Sequence, residues 1–187
     1  MTEHKLSMLS NSEQQKLKPP IEDVAPGLFT GDDLKAVLDF ADYMRATKTP
    51  LRWGGVANAW KAMHRGKPIC YVRLAQPQYE QFRNQKYKKW AAVPYLNHIR
   101  EYEDAIINKG YQDVLLSDMQ MCGNCKMQCD ANSKVITVLG KEIWGICRGF
   151  YSNRMAFQIN DPNGAAIDMI KELIEKEKEF RTKDVKP

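Results

Sequence analysis

Apolar residues recur at helical spacing in three parts of the chain. The spacing predicts helices over residues 32–46 and 95–109, and a terminal helix after Asp161-Pro162. A shorter helix is expected over residues 113–119. Each apolar stripe occupies one face of its helix, so the helices are expected to pack that face against a common core.

Strand patterns dominate the region between the first two helices. The alternating residues 60–64 and the β-rich run 69–74 lie on either side of the turn residues Arg65-Gly66, which predicts a β-hairpin. Because strands cluster and do not alternate strictly with helices, the order favours an α+β fold with an antiparallel sheet flanked by helices. Further strands are expected within residues 79–93, 134–139 and 155–159.

The two faces of the predicted hairpin differ in character. Cys70, Val72 and Leu74 form a uniformly apolar set that alternates with Tyr71 and Arg73. The apolar set is expected to pack under the helices. In that position Cys70 is a small buried apolar residue and not a reactive thiol.

The opposite face of the hairpin combines an aromatic residue with a cation. Tyr71 can stack on a ligand, and Arg73 can pair with an anionic group. We predict that Tyr71 and Arg73 line a ligand-binding cleft together with Trp53 or Trp60. The alternative is that Arg73 pairs with a carboxylate of the protein surface and that the aromatic residues belong to the core.

The first 30 residues differ in composition from the rest of the chain. Ser, Glu, Gln, Lys and Pro dominate this segment, and Pro19, Pro20, Pro26 and Gly27 interrupt any regular element. We therefore predict a flexible polar arm over residues 1–30 and a single α+β domain over residues 31–180.

Composition and charge argue against a membrane protein. The chain has 187 residues, of which 43% are hydrophobic, and this suffices for a core. The longest apolar runs fall far short of the ~20 residues that a membrane span needs, and the polar N-terminus lacks the apolar segment of a secretory signal. A cytoplasmic protein is expected. The net charge of +5 is mild, and basic and acidic residues are largely intermixed.

Four of the five cysteines fall within 26 consecutive positions. Two residues separate Cys122 from Cys125, Cys129 follows after three more, and Cys147 follows after a further 17. Thiolates from one loop and one distant element can enclose a metal ion in a tetrahedral site. The spacing predicts a metal-binding loop over residues 120–148.

Several occupants suit this set of thiolates. Four cysteines bind structural zinc and leave no open coordination position for catalysis, and they bind an iron–sulfur cluster equally well. A redox-active pair of Cys122 and Cys125 is a third interpretation, although such pairs prefer the N-terminus of a helix that follows a strand. Zinc is the prediction, and an iron–sulfur cluster or a thiol redox site are the alternatives.

The chain contains a set of short motifs, which are Trp60-Lys, Lys67-x-Ile-Cys-Tyr-Val-x-Leu74, Cys122-x2-Cys125-x3-Cys129, Leu139-Gly-Lys-Glu142 followed by Cys147, and Asn160-Asp-Pro162. In these motifs the chain resembles a family of small uncharacterised bacterial proteins and, more distantly, the YdhG- and YjbR-like small α+β domains. The resemblance covers roughly residues 34–178 and implies a curved antiparallel sheet, flanking helices and a metal loop. It implies no catalytic residues. The long basic segment between Leu74 and Tyr95 and the N-terminal arm depart from the family pattern.

The sequence therefore predicts a zinc-stabilised module that binds a small or anionic ligand. The first alternative is a nucleic-acid-binding protein in which the basic segment 83–90 contacts phosphates while Tyr87 or Trp90 stacks on bases. An enzyme is less well supported, because the chain contains no catalytic motif. The residues that would have to converge near the metal loop for catalysis are Glu142, Arg148, Arg154 and Asp161.

Overall fold

The computed structural model describes residue 6 and residues 9–75, 89–117, 135–144 and 157–183. Among the helices in these ranges, none has the combination of length and apolar composition that a membrane span requires. The helices are α1 (Asn11–Leu17), α2 (Ile21–Val24), α3 (Gly31–Ala46), α4 (Glu103–Asn108), α5 (Gln112–Ser117) and α6 (Gly164–Lys183), with short 3-10 helices over Ala25–Gly27 and Ile99–Tyr102. The strands are β1 (Arg52–Trp53), β2 (Ala59–His64), β3 (Lys67–Leu74), β4 (Trp90–Pro94), β5 (Val135–Val138), β6 (Lys141–Trp144) and β7 (Ile159–Asn160).

Five strands form one antiparallel sheet in the order β1-β2-β3-β4-β7, and β5 pairs with β6 in a separate two-stranded sheet. The predicted α+β class with an antiparallel sheet and flanking helices is confirmed. The sheet is not strongly curled, so the curvature that the family resemblance implies is not a prominent feature of it.

The predicted hairpin is formed by β2 and β3. Arg65 and Gly66 occupy its turn with φ angles of 50° and 76°. Two successive positive φ angles are the requirement of a type I′ turn, which matches the twist of the flanking strands. A register shift follows between Ala62 and Met63 of β2, and it decides which residues of the two strands face each other.

Helices α3 and α6 pack against one face of the sheet. Cys70, Val72 and Leu74 are at most 1% exposed on this face, which confirms the predicted apolar set. From α3, the ring of Phe40 lies 6.0 Å from that of Trp90 in β4, measured between centroids. Helix α6 contributes buried apolar residues, among them Ile167, Met169, Ile170, Leu173 and Ile174.

Residues 11–27 form short helices that pack against the domain, whereas the sequence predicts a flexible polar arm over residues 1–30. The Gln14 side chain donates to Asn58 Oδ1 at 2.7 Å and accepts the Asn58 backbone N–H at 2.9 Å. Ile21 and Val24 are fully buried. Sequence periodicity did not reveal this packing because the apolar residues are few, and the short helices depend on tertiary contacts for their stability.

Two helices begin later than the sequence predicts. The start of the predicted helix 95–109 extends the sheet, because the Tyr95 N–H donates to the Ile69 carbonyl at 2.9 Å. Helix α6 begins at Gly164, where Asn163 Oδ1 accepts the Ala166 N–H at 3.0 Å. Asn163 is therefore the N-cap of α6, and Pro162 precedes the cap.

The hairpin β5–β6 is held to the domain through its tip. Leu139 and Gly140 form the turn with φ angles of 51° and 69°, again the pattern of a type I′ turn. Leu139 is 1% exposed, and its carbonyl accepts a hydrogen bond from the Gln112 side chain of α5. The Gly140 N–H donates to Glu103 Oε1 of α4 at 2.7 Å. These contacts place the tip against α4 and α5.

Candidate functional site

Two rows of directly paired residues cross the sheet on the face opposite α3 and α6. Residues paired across antiparallel strands project from the same face, so each row is a line of neighbouring side chains. The rows bring together basic residues from β1, β2 and β3. The first row contains Arg52, Lys61, Tyr71 and Val93 in order. The second row contains Ala59, Arg73, Ala91 and Asn160 in order.

Three cations and one aromatic residue lie near one another in these rows. We call Arg52, Lys61, Tyr71 and Arg73 the basic face. Arg52 is exposed, and the other three residues are half-buried. Within the described ranges, none of the three cations takes part in an ion pair with an aspartate or glutamate. The alternative to a ligand site was that Arg73 pairs with a surface carboxylate of the protein. No carboxylate among the described residues forms this pair.

The Tyr71 ring lies between a glycine and a second tyrosine. Its centroid is 5.6 Å from that of Tyr95, and the ring planes are tilted by 43°. A Cβ placed on Gly54 would lie 3.4 Å from Tyr71 Cε1 and 3.0 Å from the Ala59 carbonyl oxygen. A Cβ at position 54 would therefore crowd the Ala59 carbonyl, whereas its distance from the Tyr71 ring would be that of an ordinary van der Waals contact.

Small residues border Arg73 on both sides. Ala59 and Ala91, its direct partners on β2 and β4, are 6% and 0% exposed. Next to Ala91, Asn160 Oδ1 accepts a hydrogen bond from the Gln158 side chain at 2.7 Å. The amide nitrogen Asn160 Nδ2 is buried and has no hydrogen-bond partner among the described residues. The row therefore offers an unmet N–H donor as well as a guanidinium group.

Neither predicted tryptophan belongs to this face. Trp60 is fully buried, pairs with Val72 on the core side of the sheet, and donates its indole N–H to the Pro19 carbonyl at 2.8 Å. Trp53 pairs with Trp60 and packs at the edge of the same core. Of the four residues predicted to bind a ligand, the fold brings together only Tyr71 and Arg73.

A β-bulge explains why Lys61 and not Trp60 stands beside Tyr71. Met63 pairs with Pro68, but Ala62 pairs with Cys70, so Ile69 is the extra residue of β3. Counting back from the turn without a bulge would have placed Trp60 opposite Tyr71. A shift of one residue exchanges the faces of a strand. Pro68 is the one sequence signal for the shift, because proline in a sheet is confined to edges, strand starts and bulges.

The basic segment 83–90 lies mostly outside the described residues, which include only its last two positions. Lys89 Nζ forms an ion pair with Asp33 Oδ2 at 2.7 Å. Trp90 is 2% exposed and packs against Phe40 in the core. The Lys89 charge is therefore compensated within the protein, and the Trp90 ring is not available to stack on a base.

The predicted metal ligands Cys122, Cys125, Cys129 and Cys147 lie outside the described residues. Within the described ranges, no group of three His, Cys, Asp or Glu side chains is arranged to hold a metal ion. The hairpin β5–β6 does bear on the site, since the two strands connect the segments that carry Cys129 and Cys147. Its register pairs Val135 with Trp144, so the first residue of β5 lies opposite the last residue of β6.

The fifth cysteine, Cys70, has an unreactive thiol. Cys70 is fully buried, and burial raises the pKa of its thiol to about 12. The nucleophilic thiolate is therefore scarcely populated near neutral pH. Cys70 belongs to the core, as predicted, and does not contribute a reactive group.

A buried polar cluster lies where α6 crosses the end of the sheet. Glu177 is fully buried and accepts hydrogen bonds from the His98 backbone N–H at 3.0 Å, from the Tyr102 hydroxyl at 3.0 Å and from Arg181 Nε at 2.7 Å. Glu177 Oε1 is also 3.0 Å from His98 Nδ1. Burial and the neighbouring Glu177 carboxylate raise the pKa of Tyr102 above its ordinary value. Both carboxylate oxygens of Glu177 therefore accept hydrogen bonds, and the cluster fixes α6 against the rest of the domain.

The residues considered for catalysis do not form a site within the described part of the chain. Asp161 Oδ1 accepts hydrogen bonds from the backbone N–H groups of Lys89 and Trp90 at 2.7 and 3.0 Å. Asp161 therefore satisfies the backbone donors at the start of β4. Glu142 is exposed on β6. Arg148 and Arg154 lie outside the described residues.

Comparisons of this chain with protein-family models, with curated proteins and with solved structures found no match. The resemblance to a family of small bacterial proteins therefore stays a prediction. Function has to be argued from the chemistry of the site, since a fold alone does not specify an activity.

Proposed function

We propose that this protein is a binding module for a small anionic ligand and that the ligand lies on the basic face. The observation that carries the proposal is the grouping of Arg52, Lys61 and Arg73 around Tyr71 without a carboxylate partner among the described residues. A charged patch of one sign on a rigid sheet attracts ligands of the opposite sign.

Arg73 is expected to contribute most to this site, because it combines partial burial with a guanidinium group. A guanidinium group that has lost part of its water without gaining a partner is unfavourable, and an anion removes that cost. Arginine binds carboxylate and phosphate groups through two parallel hydrogen bonds. Hydrogen bonds to charged groups contribute roughly 1.5–3 kcal/mol each, so removal of Arg73 is expected to weaken binding by about tenfold or more.

Thermal unfolding in the presence of inorganic phosphate tests the proposal. A ligand at 100 times its Kd stabilises the folded protein by about 2.7 kcal/mol, which raises the Tm measurably. The Arg73→Ala variant is expected to lose the phosphate-dependent shift. Arg100→Ala removes the same charge from an exposed position outside the basic face and is expected to keep the shift. An equal response of both variants would contradict the proposal.

The proposal includes a structural zinc ion held by Cys122, Cys125, Cys129 and Cys147. Four thiolates are the donor set that zinc prefers in closed sites. The register of β5–β6 supports the assignment, because Val135, six residues after Cys129, pairs with Trp144, three residues before Cys147. The tip of the hairpin is packed against α4 and α5. These contacts would anchor the zinc loop to the rest of the domain.

Metal analysis of the untagged protein tests the zinc assignment. About one zinc per chain is expected, and Cys129→Ser and Cys147→Ser are expected to lower both the zinc content and the Tm. Cys70→Ser is the matched control and is expected to leave the zinc content unchanged, because Cys70 is buried in β3. Full zinc retention in the Cys129→Ser, Cys147→Ser double variant would refute the assignment. An absorbance band at about 400 nm together with bound iron would identify an iron–sulfur cluster instead.

A further inference from the structure

On the basic face, strand geometry fixes the spacing between the aromatic residue Tyr71 and the neighbouring cations. Tyr71 and Arg73 are two residues apart on β3, so their Cα atoms are about 7 Å apart on one face. Lys61 faces Tyr71 directly from β2, and Arg52 faces Lys61 from β1. Charge is thus available on two sides of the ring, along the strand and across it.

The Tyr71 ring suits stacking with a planar group. Gly54 and Tyr95 restrict where the ring can lie, so little conformational entropy remains to be lost on binding. Tyr71 is partly buried and keeps some exposure to solvent. Stacking of an aromatic side chain on a base contributes substantially to affinity and tolerates different ring systems.

The surroundings of Arg73 suit a phosphate better than a single carboxylate. Ala59 and Ala91, the direct partners of Arg73, are small and uncharged, and Asn160 Nδ2 adds a buried N–H donor in the same row. A phosphate monoester carries a charge of about −1.5 to −2 and three acceptor oxygens. It can therefore use several cations and an amide donor together, which one carboxylate cannot.

From these observations we infer that the ligand of the basic face is an aromatic phosphate, the chemistry of a nucleotide unit, with the ring on Tyr71 and the phosphate at Arg73. The inference rests on the proposed function. A base and a phosphate occur together in a free mononucleotide, as a monoester, and within single-stranded nucleic acid, as a diester with a single negative charge; the experiment distinguishes these two sources.

Titration calorimetry with adenosine monophosphate, adenosine and inorganic phosphate tests the inference. Adenosine monophosphate is expected to bind at least about tenfold more tightly than either part alone, because ring and phosphate are bound together. Tyr71→Leu is expected to remove this advantage and to leave the phosphate affinity unchanged, whereas Tyr71→Phe keeps the ring and the advantage. Equal affinities for phosphate and adenosine monophosphate would overturn the inference while the proposed anion site stands. Absence of binding by all three probes would overturn both.

A second titration with single-stranded oligonucleotides of one to six uridylates identifies the source. Affinity that rises with length and falls steeply with salt concentration would assign the unit to single-stranded nucleic acid. Affinity that is independent of length would assign it to a free nucleotide. Both results support an aromatic phosphate. Tight binding that persists in Tyr71→Leu would contradict it, since that outcome requires phosphate contacts alone.

Discussion

Glu177 and Arg181 form a buried ion pair one turn apart on α6, with 2.7 Å between Arg181 Nε and Glu177 Oε1 and side-chain exposures of 0% and 4%. Arg181 also donates to the Pro68 carbonyl at 2.9 Å and to the Tyr95 carbonyl at 3.0 Å. One side chain therefore joins α6 to the beginning of β3 and the end of β4. Tyr95 in turn contacts the Tyr71 ring, so the ion pair also supports the basic face.

Removing the charge of Glu177 is expected to destabilise the protein strongly. Glu177→Gln keeps the size of the side chain but leaves the Arg181 charge buried without compensation, which typically costs about 3–5 kcal/mol. Urea denaturation measures the change in the free energy of unfolding. Asp39→Asn is the control, because its ion pair with Lys35 is largely exposed, with side-chain exposures of 54% and 71%. That change is expected to cost less than about 1 kcal/mol, and similar losses in both variants would contradict the prediction.

His64 is expected to make the protein less stable in mild acid. Burial, followed by the positive charges of Lys178, Arg181 and Arg65, lowers the pKa of His64 below its ordinary 6.5, and Glu175 opposes this only in part. The folded state therefore binds a proton less readily than the unfolded state. The contribution to stability is complete above pH 6.5 and is lost as the pH falls towards the folded-state pKa.

Denaturation at pH 7.5 and 5.5 checks the role of His64. His64→Gln is expected to flatten the fall in the free energy of unfolding over this interval, because the group that takes up the proton is gone. The interval lies above the ordinary pKa of 4.5 of Glu175, which burial raises but which hydrogen bonds from Lys178 and Tyr43 lower overall. An unchanged pH dependence in the variant would show that another group is responsible.

Local patterns predicted the hairpin and its inner face, but not the partners across the sheet. The turn at Arg65-Gly66 and the alternation around Val72 depend on neighbouring residues, which a sequence displays directly. The pairing of Tyr71 with Lys61 depends on the bulge at Ile69, which shifts the register by one residue. Because of this bulge, Lys61 and not Trp60 lies beside Tyr71, and Pro68 is the one residue in the sequence that indicates the bulge.

Long-range contacts explain the other differences from the sequence-based expectations. Gln14 lies 44 residues from its hydrogen-bond partner Asn58, so no local window relates the first helix to the domain. Likewise, Lys89 meets Asp33 only because β4 lies beside α3. Charge patterns along a sequence do not show which cations are already paired in the fold.

Cys70 is expected to be protected from thiol reagents in the folded protein. Its side chain is fully buried, and burial raises its thiol pKa to about 12, so both access and thiolate are lacking. A cysteine-specific alkylating reagent followed by peptide mass analysis measures the modification at each position. Modification of Cys70 is expected only in denaturant, at a rate set by unfolding. Rapid modification of Cys70 under native conditions would contradict its place in the core.

The tip of β5–β6 is expected to require glycine at position 140. Gly140 has a φ angle of 69°, a conformation that disfavours residues with a side chain, while a Cβ there would make only an ordinary contact of 3.6 Å with Ile107 Cδ1. Gly140→Ala is therefore expected to destabilise the protein by about 1–2 kcal/mol through backbone strain, as measured by urea denaturation.

Gly164→Ala is the matched control, because Gly164 begins α6 and a Cβ there meets nothing within 4 Å. That variant is expected to be more stable by about 0.4–1 kcal/mol, since alanine reduces the entropy of the unfolded chain. If both variants changed stability in the same direction, positive φ at the tip would not be the cause. Under the zinc proposal, Gly140→Ala is also expected to lower the zinc affinity, because Leu139 and Gly140 anchor the hairpin that lies between Cys129 and Cys147 in the sequence.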